Sequence, residues 1–157
     1  MTNDKLARLI ASAFGLGYAK KAPGTVASAY TAAIVFILQQ YGGLWMVMAF
    51  LGISILLSLW SAEQVLKSDP TLSDPSWIVM DEVAGQTLAM LYIFETGNIW
   101  YALIAFAAFR LFDIVKPWPV SWADKKVGGS LGILLDDIFA GIMAGIVVFA
   151  IQIWLPL

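Results

Sequence analysis

The chain has 157 residues, 61% of them apolar or aromatic and 13% charged, with a net charge of −2 and a mean hydropathy of +0.82. That is one domain's length (1–157) with about half the usual share of charge, which argues against both a disordered chain and an ordinary soluble domain and leaves no basic field for nucleic acid. Cysteine and histidine are both absent, which excludes disulfides, thiolate or imidazole metal sites, Ser-His-Asp triads and phosphohistidine intermediates.

Residues 2–14 are amphipathic, with Leu6, Leu9, Ile10 and Ala13 at helical spacing, and Lys5, Arg8, Lys20 and Lys21 make the region basic. No short apolar stretch with a small-residue cleavage site follows, so it reads as a helix on an anionic membrane surface rather than a secretory signal. Residues 22–62 then carry no charge, and Gly42-Gly43 divides them. A span needs about 20 apolar residues, so this run predicts a helical hairpin over about 24–41 and 44–66. Three further apolar blocks follow: 78–94, interrupted by Asp81-Glu82; 98–112, short for a span; and 133–155, with Asp136-Asp137 near its start. The predicted fold is all-α: a polytopic membrane bundle of about five membrane helices plus the N-terminal amphipathic helix.

With the N-terminus in the cytoplasm, all nine basic residues map to the cytoplasmic side, and the outer turns hold only Glu95. This is the positive-inside pattern. Trp45, Trp100 and Trp154 fall near outer ends and Trp60, Trp77, Trp118 and Trp122 near inner ends, as an interfacial belt requires.

The same map gathers Asp81, Glu82, Asp113, Asp124, Asp136 and Asp137 at the cytoplasmic ends. A charge at membrane depth costs about 2.5–3.5 kcal/mol on the insertion scale, and paired acids repel unless cations stand between them. Snorkelling towards water with basic partners is the plainer alternative. The two acid pairs sit in similar sequences, 78–85 and 133–141, and small residues at Ala84, Gly85, Ala140, Gly141 and Gly145 allow close helix approach. All-oxygen ligands favour Mg²⁺, Mn²⁺ or Ca²⁺, and Mg²⁺ commonly joins carboxylates to substrate phosphate oxygens. Arg110 and Asp113 stand i,i+3 on one helix, either a simple salt bridge or part of a site. Lys116 precedes Pro117, which predicts a helix end near Val115 and an extended segment through Pro119. Thr25 is a candidate N-cap with Ser28 one turn on. Gly128-Gly129-Ser130 reads as a loop whose N–H groups are suited to anions.

The ordered set Pro23-Gly24-Thr25…Ser28, Asp81-Glu82-x-x-Gly85-Gln86, Phe109-Arg110-x-Phe-Asp113-Ile-x-Lys116-Pro117-x-Pro119, Asp124 and Gly132-Ile-x-x-Asp136-Asp137-x-x-Ala-Gly141 resembles the phosphatidylglycerophosphatase A family over about residues 5–155. The resemblance departs at Ala27, often glycine in the family, and at Ser130, in a loop usually richer in glycine. It implies a bacterial inner-membrane lipid phosphatase, multi-pass and with its site facing the cytoplasm. The implied reaction is Mg²⁺-dependent removal of the terminal phosphate of phosphatidylglycerophosphate to give phosphatidylglycerol. On that reading Asp81, Glu82, Asp136 and Asp137 are metal-ligand or acid/base candidates. Arg110 and Lys116, with Thr25 and Ser28, bind substrate, and Asp113 either accepts the water proton or orients Arg110. Water attack and an aspartyl-phosphate intermediate both stay open. The rival function is a small cation transporter using intramembrane carboxylates, which requires polar groups near the midplane rather than at one end; a structural scaffold leaves the acids unexplained.

Overall fold

The computed structural model describes residues 3–93 and 97–154; Glu95 and the outer ends of the first and last predicted helices, Thr2 and Leu155, lie outside the described residues. The elements are α1 (Asn3–Ala11), a 3₁₀ turn (Leu16–Tyr18), α2 (Pro23–Ser68), α3 (Met80–Leu91), α4 (Ile99–Val115), α5 (Val120–Lys126) and α6 (Gly129–Trp154). Among the described residues there is no strand.

α2 is the predicted hairpin. Gly43 breaks the helical backbone at φ 61°, ψ −161°, a conformation open to glycine. Thr31 and Ser54 line one small cavity, whereas a straight helix at 1.5 Å per residue would hold them about 35 Å apart. The inward faces of both arms are small or polar: Ala27, Ser28, Thr31, Ser54, Ser58 and Ser61 are buried, while Ile34, Ile37, Leu56 and Trp45 are exposed. Ser28, Thr31 and Ser54 donate to the carbonyls four residues back, so their hydroxyls are satisfied without leaving the helix.

α2 and α6 are long and apolar enough to cross a membrane. The other two predicted spans come out shorter. α3 has 12 residues, about 18 Å, and α4 has 17, about 26 Å, against roughly 30 Å of hydrocarbon. α3 starts late because the chain before it is pinned: Val79 N–H donates to the Ala11 carbonyl at 2.8 Å. α1 also ends earlier than its apolar spacing predicts, since Ala13 and Phe14 turn left-handed after Ala11. Its Ala7 and Ala11 pack against Ala62, Val65, Ile78 and Ile133, while Leu6 and Leu9 stay exposed.

Three predicted ends are corrected. α2 begins at Pro23, with Ala22 at the cap position, because proline suits the first helical turn, where its missing N–H has no partner to lose; Thr25 is therefore inside the helix and not its N-cap. α4 does end at Val115, but Lys116 is left-handed (φ 48°, ψ 56°) rather than extended, and the short helix α5 follows Pro119 directly. α6 starts at Gly129, so Ser130 belongs to its first turn and not to a preceding loop.

Candidate active site

α3 and α6 cross at glycines. A Cβ on Gly141 would lie 2.4 Å from the Gly85 carbonyl oxygen, and one on Gly85 would lie 2.6 Å from the Asp137 carbonyl oxygen and from the Phe109 ring. Neither helix could approach so closely with a side chain there. At the far end, Gln39 Nε2 donates to the Met90 carbonyl and Gln152 Nε2 to the Tyr92 carbonyl, which ties α2 and α6 to the end of α3. The crossing therefore brings the acidic start of α3 beside Asp136 and Asp137, about two turns into α6, as their shared small-residue pattern predicts.

The result is a cavity of about 240 Å³ at one end of the bundle, lined by Asp81, Glu82, Arg110, Asp113, Lys116, Asp136 and Asp137, together with Asp74, Ser76 and the backbone of residues 22–24. Three of the acids form its floor. Asp81, Glu82 and Asp137 each offer a carboxylate oxygen, all within 4.8 Å of one another. Asp81 Oδ1, Glu82 Oε2 and Asp137 Oδ1 are buried without a hydrogen-bond partner among the described residues. Unpartnered buried acceptors are rare and costly, and three converging ones suit a hard cation. Opposite ligands of Mg²⁺ stand about 4.2 Å apart, twice its bond length of about 2.1 Å, so the three oxygens are near enough that small side-chain movements would bring them round one such ion.

Asp136 stands apart from this trio. Its Oδ2 accepts from Lys116 Nζ at 2.7 Å, and the same ammonium pairs with Asp124. Burial draws the Lys116 pKa down, but the two carboxylates outweigh it and hold the amine above its usual value. Arg110 faces the trio from α4. Its Nη1 is 2.6 Å from Asp113 Oδ2 and 3.9 Å from Glu82 Oε1, and it donates to Ser28 Oγ at 3.5 Å. Its Nε is buried and unpartnered. Gly24 lets the start of α2 close over the pair, since a Cβ there would stand 2.0 Å from Glu82 Oε1 and 3.2 Å from Arg110 Nη1.

Seven of the sequence-derived candidates thus line one cavity. Ser28 lies behind Arg110 rather than on the wall, and Thr25 is not among the lining residues. Asp74 and Ser76 were not singled out from sequence. They lie in the 69–79 loop, which is held by the 3₁₀ turn: Gly17 packs on the Trp77 carbonyl and Tyr18 stacks on the Trp77 ring at 5.8 Å. The two residues reach the cavity through those tertiary contacts, and no periodic pattern marks them. Ala22 and Lys116, two of the four non-glycine residues with positive φ among the described residues, both line the cavity, in keeping with the tendency of backbone strain to collect at working sites.

The family model described as Phosphatidylglycerophosphatase A matches residues 9–152. A protein of Haemophilus influenzae (strain ATCC 51907 / DSM 11121 / KW20 / Rd) named phosphatidylglycerophosphatase A is 37% identical over 147 residues, covering 94% of this chain and 89% of its own. The phosphatidylglycerophosphatase A of Escherichia coli (strain K12) is 34% identical over 156 residues, covering 93% and 84%. A Bacteroides thetaiotaomicron protein with the provisional name phosphatidylinositol-3-phosphatase is 34% identical over 151 residues, covering 93% and 92%. No solved structure matches the chain.

Proposed function

Because this chain belongs to the phosphatidylglycerophosphatase A family, a family of phosphatases, we propose that it hydrolyses the terminal phosphomonoester of phosphatidylglycerophosphate to phosphatidylglycerol, with Mg²⁺ as cofactor. The observation that carries the reading is that one cavity holds Asp81, Glu82 and Asp137, each with an unpartnered oxygen, together with Arg110, whose Nε is also unpartnered. Anion and cation partners are both provided for, which is what a phosphate bridging a metal and a guanidinium requires.

Asp81, Glu82 and Asp137 are the residues that would hold the metal. When bound, Mg²⁺ supplies Lewis acidity at the phosphoryl group and a template for a water nucleophile. The side chains of the chain do the rest. Arg110, fixed by Asp113 and Ser28 through Nη1, keeps Nε for an equatorial phosphate oxygen. It thereby stabilises charge where it develops in the transition state. Lys116, held by Asp124 and Asp136, presents a second positive charge to the same oxygens. Asp113 orients Arg110. The strained turn at Lys116 and the close Gly24 contact narrow the cavity around the phosphate.

The surroundings are a membrane. The long apolar α2 and α6 and the exposed apolar faces of α2 support a multi-pass bundle of five crossings, with α3 and α4 completing theirs through flanking residues. The reading places it in the bacterial inner membrane with the cavity towards the cytoplasm, where the basic residues collect. Release of phosphate from phosphatidylglycerophosphate by the purified protein, with Mg²⁺ and with a chelator, tests the function. Phosphatidylinositol 3-phosphate belongs in the same assay, since one relative carries that name. Release only from the inositol lipid would overturn the substrate, and full activity in chelator would overturn the cofactor.

A further inference from the structure

A second, apolar groove of about 340 Å³ runs between the first arm of α2 and α4. Its floor is built of small residues, Ala29, Ala32 and Ala33 on α2 and Ala102 on α4, with Phe36 and Phe106 as walls. Ala29 and Ala33 are exposed, so the groove opens sideways between the helices. Its position relative to the reaction cavity is informative. Phe106 is one helical turn from Arg110, and Ala29 adjoins Ser28, whose hydroxyl accepts from Arg110 Nη1. The apolar groove therefore stops about one helical turn short of Arg110, which lines the phosphate cavity. From Phe106 to Ile99 it follows α4 for about 10 Å, away from every charged side chain of the site.

We infer that this groove is an acyl-chain subsite: it seats one fatty-acyl chain of the lipid substrate while the phosphate lies over Arg110. The inference rests on the proposed lipid phosphatase reading and deepens it. The match is one of charge and polarity along a single line. The cation stands at one end and an uncharged trough leads from it, which is the polarity sequence of a lipid phosphomonoester. Small residues on both helices leave the space that larger side chains would fill. A seated chain fixes the headgroup relative to Arg110 and raises the share of productive encounters.

Filling the trough at an exposed position tests this without disturbing the core. Ala33→Trp is compared with Ala107→Trp, also exposed but outside the groove, using a long-chain (dioleoyl) and a short-chain (dihexanoyl) phosphatidylglycerophosphate in mixed micelles. The expected result is that Ala33→Trp raises KM for the dioleoyl substrate by about 10-fold, a scale set by the loss of roughly 1.4 kcal/mol of binding. Hydrolysis of the dihexanoyl substrate should stay close to wild type, and Ala107→Trp should change neither. Ala33→Leu, a smaller obstruction, should fall between and guards against loss of folded protein. Equal KM values for Ala33→Trp and wild type on the dioleoyl lipid would overturn the acyl subsite, as would an equal rise on both substrates. A wild-type protein that hydrolyses neither lipid would instead overturn the phosphatase reading. A change in oligomeric mass on Ala33→Trp, with unaltered chain-length preference, would assign the groove to a second copy of the chain.

Discussion

Asp136 and Asp137 are neighbours in sequence and have different partners. Asp137 turns into the acid trio with one oxygen unpartnered, whereas Asp136 takes the ammonium of Lys116. Equal sequence signals thus lead to unequal surroundings. Asp137→Asn removes a charge from the proposed metal site while keeping the shape. It should lower activity at least ~100-fold, about 2.7 kcal/mol of transition-state stabilisation, and abolish most of the rise in melting temperature that Mg²⁺ produces. It should leave the metal-free fold at least as stable as wild type, because one repelling buried charge is gone. Asp136→Asn should keep the Mg²⁺-dependent rise and act instead through Lys116, left with Asp124 as its acid partner. Melts of both variants over a Mg²⁺ series decide the division: an equal loss of the Mg²⁺ effect would show that Asp136 belongs to the same ligand set. Arg110 is argued in the same way. Its Nη1 is committed to Asp113 and Ser28 and its Nε is left over, an arrangement that a single ammonium cannot reproduce. Arg110→Lys should cut kcat at least ~100-fold with little change in the yield of folded protein. A variant of wild-type rate would make the residue a structural one.

At the scale of elements, the site exists because α3 and α6 touch through glycine. The Cβ of Gly141→Ala would fall 2.4 Å from the backbone oxygen of Gly85, and backbone cannot swing aside as a side-chain tip can. The helices must part, at roughly 1–3 kcal/mol for an overpacked contact, and Asp137 moves away from Asp81 with them. Gly52, in the second arm of α2, has nothing within 4 Å of the corresponding position. Gly52→Ala should therefore stabilise the helix by about 0.5–1 kcal/mol. Thermal melts in detergent check both signs, and a Gly141→Ala protein as stable and active as wild type would show that the crossing tolerates separation. This crossing was legible in the sequence because both halves of it are local: apolar residues, two acids, then small residues within a turn. The α2 hairpin was legible for the same reason, from an uncharged run divided by Gly42-Gly43. What sequence did not reveal is tertiary. Lys116 adopts a left-handed conformation that no pattern marks, α5 is too short for a periodic signal, and Asp74 and Ser76 reach the cavity on a loop that α1 and the 3₁₀ turn hold in place. The ends of α3 likewise depend on the Val79–Ala11 hydrogen bond, a contact between segments far apart in the chain.

On the scale of the whole molecule, large apolar side chains are exposed while several small polar ones are buried. Serines, Thr31 and Gln39 are buried along α2 while Tyr41, Trp45, Leu56 and Trp154 face outwards, as expected where the surrounding solvent is hydrocarbon and small or polar residues mediate helix contact. Charge is polarised as well. The cavity, its cations and its acids share one end of the bundle, and the Lys125–Lys126 pair ends α5 just before α6. On the proposed membrane reading, the positive-inside rule predicts from the loops that carry lysine and arginine that the end with the cavity faces the cytoplasm and the Gly42-Gly43 turn the opposite side. The absence of native cysteine allows a direct measurement with single substitutions. Ser68→Cys and Gly128→Cys, both at exposed positions at the cavity end, should resist a membrane-impermeant maleimide in spheroplasts and react after permeabilisation. Tyr41→Cys, 87% exposed next to the turn, should react without it. The reverse pattern would invert the molecule and place the phosphate cavity outside. Reaction of all three before permeabilisation would instead break the assignment of α2 as a crossing hairpin, because position 41 adjoins the turn and position 68 ends the second arm.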